Sequence, residues 1–255
     1  MGSLTRGHRQ SRRHPSYTLA MNQTVHSPAS RPAARAAAKP APKRATTRTN
    51  DPERTMAGIL EVATAEFAAK GFDGARIDAI ADVTHTSKRM IYYYFGSKEG
   101  LYLAVLEEAY RRMRSIESQL HLDDLAPEAA MAALVGFTFD HHLDNQDFIR
   151  LVMTENMQRG QHLARSAMIQ ELNVPAIEAI QRLYDRGVAQ GVFRPGLHAI
   201  DLHASISALS FFNVSNQYTF DLIFKSQTLS PAQRALRRQS VVDMVLRFVR
   251  HSNPA

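Results

Sequence analysis

From Asp51 onward, apolar residues recur at helical spacing, and no alternating run suggests a strand. This pattern predicts an all-α fold of about nine helices. Ile59, Ala63 and Phe67 recur at a spacing of four and form one apolar stripe. Asp51 can cap that helix, with Pro52 at its first position. Lys70 falls in the last turn, and Gly71 is expected to end the helix as a left-handed cap, so that Phe72 folds back on the stripe.

Two short helices follow. The first, near Ile77 to Val83, turns Ile77, Ile80 and Ala81 inward and has only Arg76, a poor capping residue, before it. Thr84, His85 and Thr86 separate it from the second, which Ser87 can cap and which runs to about Tyr94. Two short helices with so brief a break, packed on a longer one, make a helix-turn-helix. Ser97 can cap a fourth helix, with Glu99 in its first turn. Beyond it the pattern stays helical: "PEAAMAALVGFTFDHHL", "DFIRLVMTENMQRG", a long segment in which Pro175 is expected to kink the helix, and two final segments. Ser230, Pro231 and Gln233 have the spacing of a capping box.

Charge divides the chain. Residues 1–50 hold ten Lys and Arg and no Asp or Glu, and they are poor in large apolar residues. Such a segment cannot repay its ordering entropy alone, so 1–50 is expected to be a disordered basic arm. It either adds nucleic-acid affinity through counterion release, or is a solubilising tail, or is upstream sequence before a later start such as Met21. The remainder is mildly acidic. There are no cysteines, which excludes disulfide frameworks, thiolate nucleophiles and Cys-containing metal sites and suits a cytoplasmic location. No run approaches the roughly 18 apolar residues that span a bilayer, so no membrane association is expected.

The third helix carries the sharpest signal. With Ile91 at the centre of its buried face, Ser87, Tyr94 and Phe95 fall on that side. Arg89 and Tyr93 point away, Met90 and Tyr92 flank them, and Lys88 lies at the margin. A cation, two phenols and a thioether suit the major groove. Arginine can grip a guanine edge, a methionine or ring can touch a thymine methyl, and hydroxyls can hold phosphates. Lys98 and the free N–H groups opening the fourth helix add a phosphate site. The alternative is that the tyrosines pack a core. Three adjacent residues cannot all face one core, so Tyr92 or Tyr93 needs another partner.

Enzyme chemistry finds little support. His141 and His142 are adjacent and diverge by about 100°, unlike a metal pair at i, i+4. His198 and His203, with Asp201 between them, also lack a chelating spacing. There is no HExxH, Gly-rich phosphate loop or G-x-S-x-G. Catalytic residues, metals and cofactors are therefore not expected.

"FAAKGFDG", "IDAIA" and "SKRMIYYYFGSKEGLY", in that order between Arg54 and Leu106, resemble the DNA-binding domain of the TetR family of transcriptional regulators. The resemblance implies a helix-turn-helix domain over 51–97 and a helical effector-binding and dimerisation domain over 98–252. It implies a homodimer that binds palindromic operator DNA and represses nearby genes until an unidentified small-molecule effector binds. Family positions place the recognition helix on Ser87 to Tyr93, with Thr86 just before it, and phosphate contacts on Tyr92, Tyr93 and Lys98. His85 stands where the family has glycine, and Arg76 where it often has threonine. A DNA-binding or architectural protein without ligand control is the alternative.

Less specifically, "FIRLVMTENMQRGQHLARS", "GVFRPGLHAIDLH" and "SFFNVSNQYTF" resemble one branch of the family. On that basis the last two major helices, about Ala199 to Tyr218 and Pro231 to Arg250, would pair with their copies. Leu236, Val241, Val242, Val245, Leu246 and Val249 form a broad side that serves either that interface or an intrachain core. Phe137, Met153, Met157, Phe211 and Tyr218 are candidates to line an apolar effector cavity. His141, Glu155, Asn156 and Asn216 are candidates for polar recognition; capping, interhelical bonding or exposure are the alternatives.

Overall fold

A computed structural model describes residues 51–227 and 230–251; the basic arm, residues 1–50, lies outside them. Among the described residues there are ten α-helices and an isolated bridge between Phe193 and Arg250, with no sheet. Among the described residues no helix is long and apolar enough to cross a membrane.

Helix α1 (Pro52–Gly74) begins as its sequence dictates: the Asp51 carboxylate accepts from the N–H groups of Glu53 at 3.1 Å and Arg54 at 3.3 Å. Its end differs from expectation. Gly71 does take a positive φ of 69°, but with ψ 177° it breaks the helix, and a further turn runs on to Gly74. Only glycine adopts that conformation without strain. The break swings Phe72 back to stack on Phe67 at 6.3 Å, with Tyr102 at 5.2 Å.

Helix α2 (Ile77–Thr84) has no side-chain cap from Arg76. Its entry is held instead by Glu66, which accepts from the Arg76 N–H at 3.1 Å and from Lys70 Nζ at 2.8 Å. Ile77, Ile80 and Ala81 are buried. His85 then adopts φ 51°, ψ 35°, the left-handed conformation that lets Thr86 N–H reach back to the Ala81 carbonyl at 3.1 Å. A side chain there costs roughly 1 kcal/mol. His85→Gly is expected to raise the unfolding free energy by up to about 1 kcal/mol, less what glycine adds to unfolded-chain entropy; urea unfolding measures it.

Helix α3 (Lys88–Phe95) is capped by Ser87, whose Oγ accepts from Met90 N–H at 3.2 Å. Helix α4 (Lys98–Glu117) is capped by Ser97, which accepts from Gly100 N–H at 3.1 Å. The two helices approach so closely that a Cβ on Gly100 would sit 2.0 Å from the Phe95 carbonyl oxygen, which fixes glycine at this corner. Ile59, Phe67, Ile80, Ile91, Leu101 and Tyr102 close the first core, and Leu151 and Ile169 of the body complete it.

The body consists of α5 (Pro127–Asp144), α6 (Gln146–Met157), α7 (Ala167–Ala189), α8 (Ala199–Ser215), α9 (Gln217–Phe224) and α10 (Pro231–Val249). Helix α5 packs against α7, α8 and α10 and is buried nearly all round. Its Met131, Leu134, Val135 and Phe139 anchor the second core with Leu183, Phe193, Leu202 and Ile206. Helix α7 is continuous through Pro175, which lies inside it. Two expectations are corrected. Ser230 makes no side-chain cap bond, so the capping box does not form, although Pro231 does open the helix. The helix expected over Ala199 to Tyr218 ends at Ser215 and is followed by the separate α9. Of the α10 stripe, Val241, Val242, Val245, Leu246 and Val249 pack inside their own chain, whereas Leu236 is exposed.

Candidate nucleic-acid interface

The face of α3 follows from one buried residue. Ile91 is fully buried, which turns Arg89, Tyr92 and Tyr93 to solvent and leaves Met90 and Tyr94 half-buried. Tyr93 is 78% exposed, with its ring held edge-on by Tyr94 at 5.3 Å. A tyrosine so presented, beside a cation, packs only along its ring edge and turns most of its surface to solvent.

The two cations of α3 differ. Lys88 is ion-paired with Asp78 of α2, whereas Arg89 is exposed and has no ion-pair partner among the described residues. Ser87 is exposed and its hydroxyl is committed to the cap; Thr86 is half-buried in the turn. Lys98, at the start of α4, lies 4.9 Å over the Phe72 ring and donates to the Asp73 carbonyl at 3.3 Å. It therefore fixes its charge beside the helix N-terminus instead of extending freely into solvent.

In the body, the structure gathers some of the candidate effector residues and separates others. The His141 ring is buried 5.6 Å from Phe137, 5.7 Å from Phe148 and 6.2 Å from His142. Phe211 meets His142 edge-on at 6.1 Å, and Met153 packs on the same core. Met157 and Asn156 are exposed, and Asn156 donates to the Val152 carbonyl. Tyr218 is exposed, its hydroxyl accepting from Arg150 at 3.2 Å. Asn216 is exposed at the α8–α9 joint.

Glu155 takes another place altogether. It is 2% exposed, and its Oε2 accepts from the N–H groups of His162 at 3.3 Å and Leu163 at 3.0 Å, while Oε1 lies 3.0 Å from His162 Nδ1. The His162 ring rests on Phe72 at 4.4 Å and Tyr102 at 4.9 Å. This joint connects the end of α6 to the helix-turn-helix core. Burial, then the Glu155 charge, pushes the Tyr102 phenol well above its ordinary pKa.

Sequence reasoning weighed His142 and His203 only as metal ligands, and it missed Tyr110, Arg114 and Glu117. Adjacent histidines diverge around any helix, but α5 is enclosed, so both imidazoles end in the interior. Burial, then the proximity of the other basic groups His141, His203 and Arg114, lowers the His142 pKa to about 4. Burial also lowers His141 and His203. Arg114 and Glu117 form an almost enclosed ion pair, and Arg114 Nε donates to Asn173 at 2.9 Å. Among the described residues no group of three or more His, Cys, Asp or Glu is placed to hold a metal ion.

The lowered His142 pKa carries a sign. The unfolded imidazole takes its proton near 6.5 and the folded one near 4, so between those values the unfolded chain binds more protons. Stability is therefore expected to fall by about 3 kcal/mol from this residue as pH drops from about 6.5 to about 4. Urea unfolding across that range should show the loss, and His142→Phe should flatten it.

Comparison with known proteins agrees with this architecture. Residues 59–105 match the family model "Bacterial regulatory proteins, tetR family", and residues 127–245 match "Tetracyclin repressor-like, C-terminal domain". The HTH-type transcriptional repressor NicS of Pseudomonas putida is 32% identical over 203 residues, covering 80% of this chain and 96% of that protein. The HTH-type transcriptional repressor SCO4008 of Streptomyces coelicolor is 35% identical over 139 residues, covering 54% of this chain and 69% of that protein. A solved tetR-family regulatory protein from Rhodococcus RHA1 shares the fold, with a TM-score of 0.61 at 22% identity, over 78% of this chain and 99% of that one. The chain belongs to the TetR family of transcriptional regulators, which act as DNA-binding homodimers and not as enzymes.

Proposed function

We propose that this protein is a cytoplasmic repressor whose homodimer grips a palindromic operator with two copies of α3 and releases it when a small molecule occupies the C-terminal body. The observation that carries the DNA reading is the solvent-facing set Arg89, Tyr92 and Tyr93 above a fully buried Ile91. Arg89 reads a base edge, Met90 touches a thymine methyl, and Lys88 and Thr86 lie at the rim of the contact. Tyr92, Tyr93 and Lys98 hold phosphates and set the register, while Ser87 holds the start of α3 in place.

The dimer face in this reading is formed by α8 and α10, where Ile200, Leu236, Met244 and Phe248 remain exposed on the single chain. Solvent-facing apolar residues on two adjoining helices suit an isologous contact. Two heads so joined would address half-sites about one helical turn apart. The effector would lodge among Phe137, His141, Met153 and Phe211, with Asn156, Met157 and Tyr218 at the surface beside them. To release DNA it must bind the DNA-incompetent arrangement more tightly than the operator-bound one. Helix α6, which packs on α1 and holds the Glu155 joint, is the route by which the body would move the head.

Tyr93→Phe removes one phosphate-directed hydroxyl from an exposed position. It is expected to weaken binding about 3- to 10-fold on every related operator alike. Gel shifts on a set of operator variants measure this; a loss confined to one base substitution would remove Tyr93 from the backbone contact.

A further inference from the structure

Between the reading head and the body lies a cleft of about 980 Å³, walled by α1, α4 and the corner where α5 passes into α6. His141 lines it together with the half-buried Phe95 and Phe148, and the Phe148 ring lies 5.7 Å from the imidazole. His141 is 7% exposed, yet its ring makes no hydrogen bond among the described residues, and its Nδ1 is buried and unpaired. An unpaired buried polar atom costs about 1–3 kcal/mol, so the fold alone gives no reason to keep an imidazole here. Burial lowers its pKa, so at neutral pH the ring is uncharged and one nitrogen is free to accept.

The walls of the cleft are acidic. Two of the lining carboxylates are already paired, Glu108 with Arg111 and Asp144 with Arg234. Glu53, Glu61 and Asp147 have no ion-pair partner among the described residues. Against them stands one lining cation, Arg112, so three free carboxylates and one guanidinium leave a net charge of −2. The opening turns of α1 and α6 would favour an anion, but Glu53 and Asp147 already supply that charge.

We infer that this cleft binds an organic monocation, a protonated amine on an apolar ring, whose ammonium donates to the His141 imidazole within the field of Glu53, Glu61 and Asp147. The inference rests on the effector reading at one residue, His141, and assigns the charge of the ligand that meets it. An ammonium drawn out of water needs both a counter-charge and an acceptor, and the cleft supplies the two together. Phe95 and Phe148 add apolar surface and cation–π attraction. A cleft with walls of one sign concentrates ligands of the other. An anion meets only Arg112, outnumbered by carboxylates, and a neutral molecule forgoes the field. Helix α1 belongs to the head and the α5–α6 corner to the body, so a bound molecule touches both.

Phenethylamine, 3-phenylpropionate and 2-phenylethanol carry the same ring on a cationic, an anionic and a neutral tail. Isothermal titration of each into the full chain at neutral pH compares them. Phenethylamine is expected to occupy one site at least about tenfold more tightly than either analogue. Raising the salt from about 50 to about 500 mM should weaken it at least about threefold. Glu61→Gln, at an exposed position of α1, should weaken it about threefold. His141→Phe keeps a ring and removes the acceptor, and should weaken it about fivefold or more. Melts followed by circular dichroism show whether each variant is folded, and the analogue series needs no variant. Equal or tighter binding of either analogue, no saturable binding of phenethylamine up to about 10 mM, or undiminished affinity in either variant overturns the inference. Phenethylamine binding that leaves operator affinity unchanged upholds the cleft and removes it from the release of DNA.

Discussion

Glu155→Ala is expected to lower the unfolding free energy by about 3–5 kcal/mol and Tm by roughly 10 °C. The carboxylate is almost fully buried and serves two backbone N–H groups and one imidazole nitrogen. Alanine removes all three acceptor contacts and leaves their partners enclosed without water. Glu155→Gln keeps one acceptor oxygen and should lose about half as much. The joint it holds bears on Phe72 and Tyr102, so the alanine variant should also bind operator more weakly than its folded fraction explains. A Tm within about 1 °C of the parent would mean that the joint contributes nothing net.

Arg89→Ala is the second large effect, and it lies on recognition. A bidentate arginine contact to guanine discriminates by about 1–3 kcal/mol, so affinity for the preferred operator should fall roughly 10- to 100-fold. Affinity for unrelated duplex should fall no more than about threefold, since one phosphate-range charge is lost among several. Lys88→Ala should do less on the preferred site, because Lys88 is already paired with Asp78. Equal losses on preferred and unrelated DNA would move Arg89 from base reading to the backbone.

Much of the reading head was legible because its determinants are local. Asp51, Ser87 and Ser97 each bond to an N–H two or three residues away, so the sequence places those caps unaided. Ile91 sets the facing of α3 by periodicity alone, and the exposure of Arg89 and Tyr93 follows. His85 stayed left-handed despite its side chain because the backbone bond from Thr86 to Ala81 holds the turn.

The body was less legible because its determinants are distant in sequence. Glu155 reads as a polar side chain on a helix; only the return of the chain at His162 and Leu163 turns it into a buried joint. His142 looked unremarkable because spacing cannot show that α5 is enclosed by α7, α8 and α10. Pro175 lies inside α7, which packs against α4, α5 and α8 along its length, partners that no local pattern names. Glu66 replaced the missing cap of α2 from ten residues away, beyond the reach of any capping pattern.

The account turns on α3 entering the major groove of a two-fold site. Selection of genomic fragments by the purified full-length protein, followed by sequencing, tests that directly. The expected result is enrichment of a palindrome with half-sites about one helical turn apart, at a salt concentration where Arg89→Ala no longer selects it. Recovery of unrelated fragments, or of the same palindrome by the Arg89→Ala protein with equal efficiency, would contradict it.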